Sequence, residues 1–129
     1  MKPRILVVDD EQAIRNSICE FLKIRLGCDV IACGDSVEAM AAMDRERFDV
    51  LIQDLQMPNI DGITVIIHGK KTNPKLIPVL ITRLSEESKI AQAEKLGAIY
   101  IPKPFELKMV QKIIERELTS VGEFEFNKS

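Results

Sequence analysis

Two aliphatic runs in this chain end in carboxylates. Ile5-Leu6-Val7-Val8 is followed by Asp9 and Asp10, and Val50-Leu51-Ile52-Gln53 by Asp54. Each run has the length of a strand, and an unbroken apolar run suits a strand covered on both faces. In an open parallel sheet, ligands bind beyond the carboxyl ends of the strands, where the strand order reverses. The three aspartates would then meet in one pocket. Like charges that close raise one another's pKa unless a cation joins them. Oxygen-only ligands favour a hard cation, and a small site with room for phosphate and water points to Mg²⁺.

Strand-like and helix-like segments alternate along the whole chain. Arg4 to Val8 reads as a first strand. Gln12 to Leu26 follows as a helix, with Ile14, Ile18, Phe21 and Leu22 on one stripe and Gly27 as its stop. Asp29 to Ala32 is a short second strand. Asp35 starts the second helix, with Glu38 completing a capping box and Val37, Met40 and Met43 facing inward. Phe48 to Gln53 is the third strand, and Met57 to Gly62 a loop marked by Pro58, Asn59 and Gly62.

Ile63 to Lys71 is expected to be a helix because the alternation requires one. It is a weak one, short or mobile, since Ile63 to Ile67 are all β-branched and Gly69 interrupts it. Ile77 to Thr82 is the fourth strand, Ser85 to Leu96 a polar helix and Ala98 to Ile101 the fifth strand. Phe105 to Leu118 is the last helix, with Phe105, Met109, Val110, Ile113 and Ile114 inward. Such alternation gives an α/β, doubly wound parallel sheet with right-handed crossovers. Residues 1–120 form one domain, and 121–129 read as a tail or a truncated linker.

The bulk numbers narrow the function classes. The 129 residues suit one domain, and 46% hydrophobic with 29% charged residues describes a soluble globular chain. A net charge of −2 offers no basic face for nucleic acid. No stretch has membrane-spanning length. Cys19, Cys28 and Cys33 lack metal-ligand spacing and fit reduced thiols in a cytoplasmic protein.

Two more predicted strands end in polar groups: Thr82 closes the fourth, and Lys103 follows the fifth. Carboxylates, one hydroxyl and one ammonium make a phosphoryl-transfer pocket. An aspartate can attack phosphorus, Mg²⁺ neutralises phosphoryl charge, and hydroxyl and ammonium take the remaining oxygens. With Val7-Val8-Asp9-Asp10-Glu11, Asp54-Leu55-Gln56-Met57-Pro58-Asn59-Ile60-Asp61-Gly62, Leu80-Ile81-Thr82 and Ile101-Pro102-Lys103-Pro104-Phe105 in order, the chain resembles the response-regulator receiver domains of two-component signalling. The resemblance covers residues 4 to 118.

The resemblance implies a flavodoxin-like (βα)5 three-layer sandwich with strand order 2-1-3-4-5. It makes Asp54 the phosphoacceptor, phosphorylated by a histidine kinase or histidine phosphotransfer protein. Asp10 binds Mg²⁺ directly, Asp9 directly or through water, and the Gln56 backbone carbonyl is a further ligand beside Asp54. Thr82 and Lys103 hold phosphoryl oxygens, and Tyr100 is the aromatic switch that turns inward when Thr82 moves. The face of the fourth helix, fifth strand and fifth helix would bind an output partner or a second copy. Such a domain acts chemically on itself and is not an enzyme.

Other residues have plainer expectations. Asp61 caps the following helix, Glu11 is a first-turn acid favoured by the helix dipole, and His68 is an unpaired surface residue. Pro104 shapes the turn after Lys103, where a cis bond is common in the family.

Arg83 departs from the pattern, which has Ala or Gly after the threonine. It would crowd the opening or reach the phosphate as an extra donor. With Leu84 and Gln56 it forms a rim, and Arg83 and Leu84 are expected to slow dephosphorylation and also phosphorylation. Rival readings are weaker. A haloacid-dehalogenase-type phosphatase needs an Asp-x-Asp-x-Thr pattern after strand one, and a flavin binder needs a phosphate-cradling loop there. A receiver that works unphosphorylated would not need all five site residues.

Overall fold

A computed structural model describes residues 2–83 and 85–122. Ten elements alternate along the chain: β1(Arg4–Val8), α1(Gln12–Leu26), β2(Asp29–Cys33), α2(Ser36–Arg45), β3(Val50–Asp54), α3(Gly62–Thr72), β4(Ile77–Thr82), α4(Glu87–Lys95), β5(Ile99–Pro102) and α5(Leu107–Ser120). The five strands form one parallel sheet in the order β2-β1-β3-β4-β5, as expected. Leu84, expected at the rim, and residues 123–129, the end of the expected tail, lie outside the described residues.

The sheet explains the aliphatic runs. Side chains alternate across a strand, so Ile5, Val7, Val50 and Ile52 pack under α1 and α5 with Ile18, Leu22, Val110 and Ile114. Leu6, Val8 and Leu51 face the other way, against Ala39, Met43, Val65 and Ile66 of α2 and α3 and Ala93 of α4. With both faces covered, no polar alternation survives in the central strands. The three cysteines are free and buried in these layers. Burial pushes the Cys28 thiol up to about 12 and the Cys33 thiol up to about 11, the inert form of a buried thiol.

Two expected inward faces are corrected. Val37 is 58% exposed, and α2 buries Ser36, Ala39, Ala42 and Met43 instead. Met109 is 49% exposed, because the buried line of α5 runs through Val110, Ile114 and Leu118 at four-residue spacing. Phe105 precedes α5 rather than opening it, half-buried against the α1 face.

The third helix is longer and better anchored than its residues suggest. It runs unbroken over 11 residues. The Asp61 carboxylate caps it, accepting from the Thr64 amide at 2.9 Å and the Thr64 hydroxyl at 3.1 Å. Burial of Ile63, Val65 and Ile66 offsets the poor propensity of β-branched residues. Gly69 serves close packing: a Cβ there would lie 2.6 Å from a Leu76 methyl and 2.9 Å from the Met43 sulfur. His68 is paired, not free; its Nε2 lies 2.8 Å from Asp44 Oδ1 and ties α3 to α2.

Gly62 is the tighter constraint. A Cβ on it would sit 2.5 Å from the Asp54 carbonyl oxygen and 2.9 Å from the Leu55 Cα. Backbone cannot yield as a flexible side chain does, so the start of α3 can lie this close to the end of β3 only without a side chain. The Gly62 amide also donates to the Leu55 carbonyl at 3.1 Å. Gly62→Ala is therefore expected to lower stability by roughly 1–3 kcal/mol, the usual cost of overpacking, although alanine is the better helix former. Urea denaturation measures this, and a variant as stable as the parent would contradict it.

Candidate functional site: an acidic pocket at the strand ends

β1 and β3 are hydrogen-bonded neighbours in register Val8↔Gln53, and β3 pairs β4 with Asp54↔Ile81. That adjacency brings the carboxylates together. Asp54 is the last residue of β3 rather than the first after it, and Asp9 and Asp10 begin the β1–α1 loop. One oxygen from each of Asp9, Asp10, Glu11 and Asp54 lies within 4.8 Å of the others. Asp9 is fully buried, Asp54 buried and Asp10 exposed at the mouth.

Lys103 enters from the loop after β5, its amide donating to the Thr82 carbonyl at 2.9 Å. The Lys103–Pro104 bond is cis, the form common in the family. The Lys103 ammonium lies 2.8 Å from Asp54 Oδ2, 2.8 Å from Asp9 Oδ2 and 3.2 Å from Glu11 Oε1. Its side chain is 2% exposed. The Asp54 contact is a well-directed hydrogen bond. Asp9 Oδ2 meets the ammonium as an ion pair but lacks a well-directed donor among the described residues.

Backbone amides hold the other carboxylate oxygens. Asp54 Oδ1 accepts from the Gln56 amide at 3.0 Å, and Asp9 Oδ1 from the Glu11 amide at 2.8 Å. Gln53 is buried beneath the acceptor and donates from Nε2 to the Asp54 carbonyl at 2.9 Å. Thr82 ends β4 fully buried. Tyr100 lies opposite Leu80 in the sheet, half-buried against the α2-α3-α4 layer, and does not line the pocket.

The electrostatics follow from burial. Desolvation pushes the Asp54 carboxyl above its usual range, outweighing the Lys103 ammonium and the Gln56 amide that pull it down. Burial works against the Lys103 charge, but its close contacts with the Asp54 and Asp9 carboxylates together outweigh it and hold the ammonium above its usual value. The two directions are compatible, because Lys103 shares one positive charge among several carboxylates. Four carboxylates face two cations, Lys103 and Arg83, which leaves the charge of one divalent cation uncompensated. The donors are all oxygen, one of them a buried Asp9 oxygen without a directed donor. This set fits Mg²⁺.

Above these groups opens a cavity of about 520 Å³, lined by Asp10, Glu11, Asp54, Gln56, Met57, Pro58, Arg83 and Lys103. One expectation is corrected at its rim. Glu11 is not merely a dipole-favoured acid; it sits at the N-cap of α1 with no side-chain capping bond, and its carboxylate turns into the pocket. Arg83 lines the mouth and bonds to Glu11 Oε1, at 2.5 Å. Hydrogen bonds from Arg83 and Lys103 hold the Glu11 carboxyl below its usual range. An acid directly after a metal-type Asp-Asp pair and an arginine where a small residue is usual each stand out in the sequence, but nothing there pairs them.

Known proteins match this arrangement. The family model described as "Response regulator receiver domain" matches residues 5–115. Response regulator MprA of Mycobacterium leprae is 38% identical over 105 residues, 81% of this chain and 46% of that protein. The probable transcriptional regulator ycf27 of Porphyridium aerugineum is 36% identical over 127 residues, 98% of this chain and 52% of that protein. The chain thus spans about half the length of the curated relatives it matches. Among solved structures, a CheY-like response regulator receiver domain protein from Methanospirillum hungatei superposes with a TM-score of 0.87 at 25% identity, covering 96% of this chain and 100% of that one. The BeF3-activated DrrB receiver domain superposes with a TM-score of 0.82 at 27% identity, covering 92% and 99%. A fold, an acidic strand-end pocket and a family match over residues 5–115 agree, and the chain belongs to the response-regulator receiver domains.

Proposed function

We propose that this domain is a phosphoacceptor switch of a two-component system, with Asp54 as acceptor. The observation that carries this is the Lys103 ammonium, 2.8 Å from both Asp54 and Asp9 in a buried site that opens to a cavity of about 520 Å³. Phosphohistidine of a histidine kinase or histidine phosphotransfer protein is the donor. An Asp54 carboxylate oxygen bonds to phosphorus as the nitrogen–phosphorus bond breaks, and the released imidazole nitrogen takes up a proton. Lys103 then pairs with the phosphoryl group it had shared between carboxylates.

Asp9, Asp10, Asp54 and the Gln56 carbonyl would hold Mg²⁺. When bound, the ion offsets the negative charge that builds on the phosphoryl oxygens. Asp10 is exposed at the mouth and suits direct ligation, whereas Asp9 is already engaged by Lys103 and the Glu11 amide. Gln56 and Arg83 form the described part of the rim that sets access for attacking water.

The output follows from β4 and β5. Thr82 moves toward the phosphoryl group, and Tyr100, half-buried on the neighbouring strand, takes the space that opens. The α4-β5-α5 face then changes population and binds an output partner or a second copy. Residues 1–120 make up this switch, with 121–129 a tail or a truncated linker. The reading places the domain in the cytoplasm, working on itself rather than as an enzyme, with no nucleic acid bound directly. No helix among the described residues is long and apolar enough to cross a membrane.

Intact mass after incubation with Mg²⁺ and a small-molecule phosphodonor tests the acceptor. One phosphoryl group is expected on the parent and none on Asp54→Ala; an equal adduct on both would refute Asp54. Stability tests the cation. Removing one partner of a buried ion pair costs about 3–5 kcal/mol, so Lys103→Met should lose that much in chelator. Part should return with Mg²⁺, through preferential binding to the folded state. Urea denaturation with and without Mg²⁺ reads both effects, and a variant as stable as the parent in chelator would contradict the role of Lys103.

A further inference from the structure

Arg83 follows Thr82 at the end of β4, and Glu11 lies in the β1–α1 loop on the other side of the pocket mouth. Their contact, Arg83 Nη1 to Glu11 Oε1, spans that mouth. The same Glu11 oxygen also accepts from Lys103 at 3.2 Å, so one carboxylate oxygen holds both cations of the site. We infer that Glu11 and Arg83 form an exchangeable clasp, in which Arg83 leaves Glu11 for the phosphoryl oxygens when a dianion occupies Asp54. This rests on the acceptor reading above and adds Arg83 as a further phosphate-binding residue.

Three observations support the exchange. The pair is weakly held: the Arg83 side chain is 62% exposed and that of Glu11 37%, and exposed ion pairs contribute little. Arg83 already lines the cavity that contains Asp54 and would contain the phosphoryl group. It also walls a second, mainly apolar cavity of about 330 Å³ between α1 and the β5–α5 loop, bounded by Ile14, Pro104 and Phe105. With open space on both sides, its side chain has room to swing. A dianion presents two charges and several acceptor oxygens to the planar guanidinium fork, whereas Glu11 presents one oxygen already shared with Lys103. Glu11 is thus a resting competitor that keeps Arg83 near the site and sets how strongly it must be drawn away.

Beryllofluoride binding at saturating Mg²⁺ tests the clasp, since that probe mimics the phosphoryl group on an aspartate without being hydrolysed. NMR titration of the parent, Arg83→Gln, Arg83→Met, Glu11→Gln and the Glu11→Gln/Arg83→Gln double variant reads the affinity. Mg²⁺ affinity is measured separately for each. Arg83→Gln and Arg83→Met should each weaken beryllofluoride binding about ten-fold, the scale of one lost charge-assisted contact. Glu11→Gln should tighten it, and the double variant should show no such gain over Arg83→Gln. Affinity unchanged in both Arg83 variants, or tightening by Glu11→Gln that persists without Arg83, would overturn the clasp and leave the acceptor reading standing. A parent that binds Mg²⁺ but no beryllofluoride would overturn both.

Discussion

One buried ammonium organises this molecule's functional end. Lys103 is almost completely enclosed and lies 2.8 Å from each of two buried carboxylates. Without it two buried carboxylates would lie unpaired, and a lone buried charge is far costlier than a paired one. Yet one positive charge cannot satisfy Asp9, Asp10, Glu11 and Asp54 together. The site is stable enough to exist and still short of positive charge. In the proposed function, that shortage admits a divalent cation, and then a phosphoryl group whose oxygens compete for the same lysine.

The fold is the means of assembling that shortage. A parallel sheet puts all strand ends on one edge, and the order β2-β1-β3-β4-β5 sets the ends of β1, β3 and β4 side by side. The layers behind the edge are rigid because both faces of the sheet are covered by close-packed aliphatic side chains. Gly62 and Gly69 let α3 come unusually close, Gly62 to the backbone of Asp54 and Gly69 to the Met43 side chain. The acceptor carbonyl is pinned from below by Gln53, and its carboxylate from the loop side by the Gln56 amide. Position, not an unusual side chain, makes Asp54 a candidate nucleophile.

Much of this was legible before any coordinates. Aliphatic runs without polar alternation announce strands covered on both faces, and acids at their ends announce where a ligand goes. What escaped depended on tertiary contact. Propensity made α3 look weak, but burial of Ile63, Val65 and Ile66 holds it. Val37 and Met109 match an apolar pattern, yet each falls one position off the line its helix buries. His68 has no partner nearby in sequence; its partner, Asp44, is 24 residues away on another helix. Glu11 and Arg83 are 72 residues apart, so their pairing could not be read from either local pattern. Gln53 looked like the end of an apolar run, and its buried amide against the acceptor backbone becomes meaningful only once Gly62 is seen to leave no room above it.

In the proposed function, an occupied strand-end pocket is coupled to the distant α4-β5-α5 face. Amide chemical shifts of the Mg²⁺-loaded domain, followed as a phosphoryl mimic saturates Asp54, address it most directly. Changes are expected at Asp9, Asp54, Thr82 and Lys103 that continue through Tyr100 into α4 and the start of α5. Changes that stop at the pocket, with Tyr100 and α4 unmoved at saturation, would contradict it.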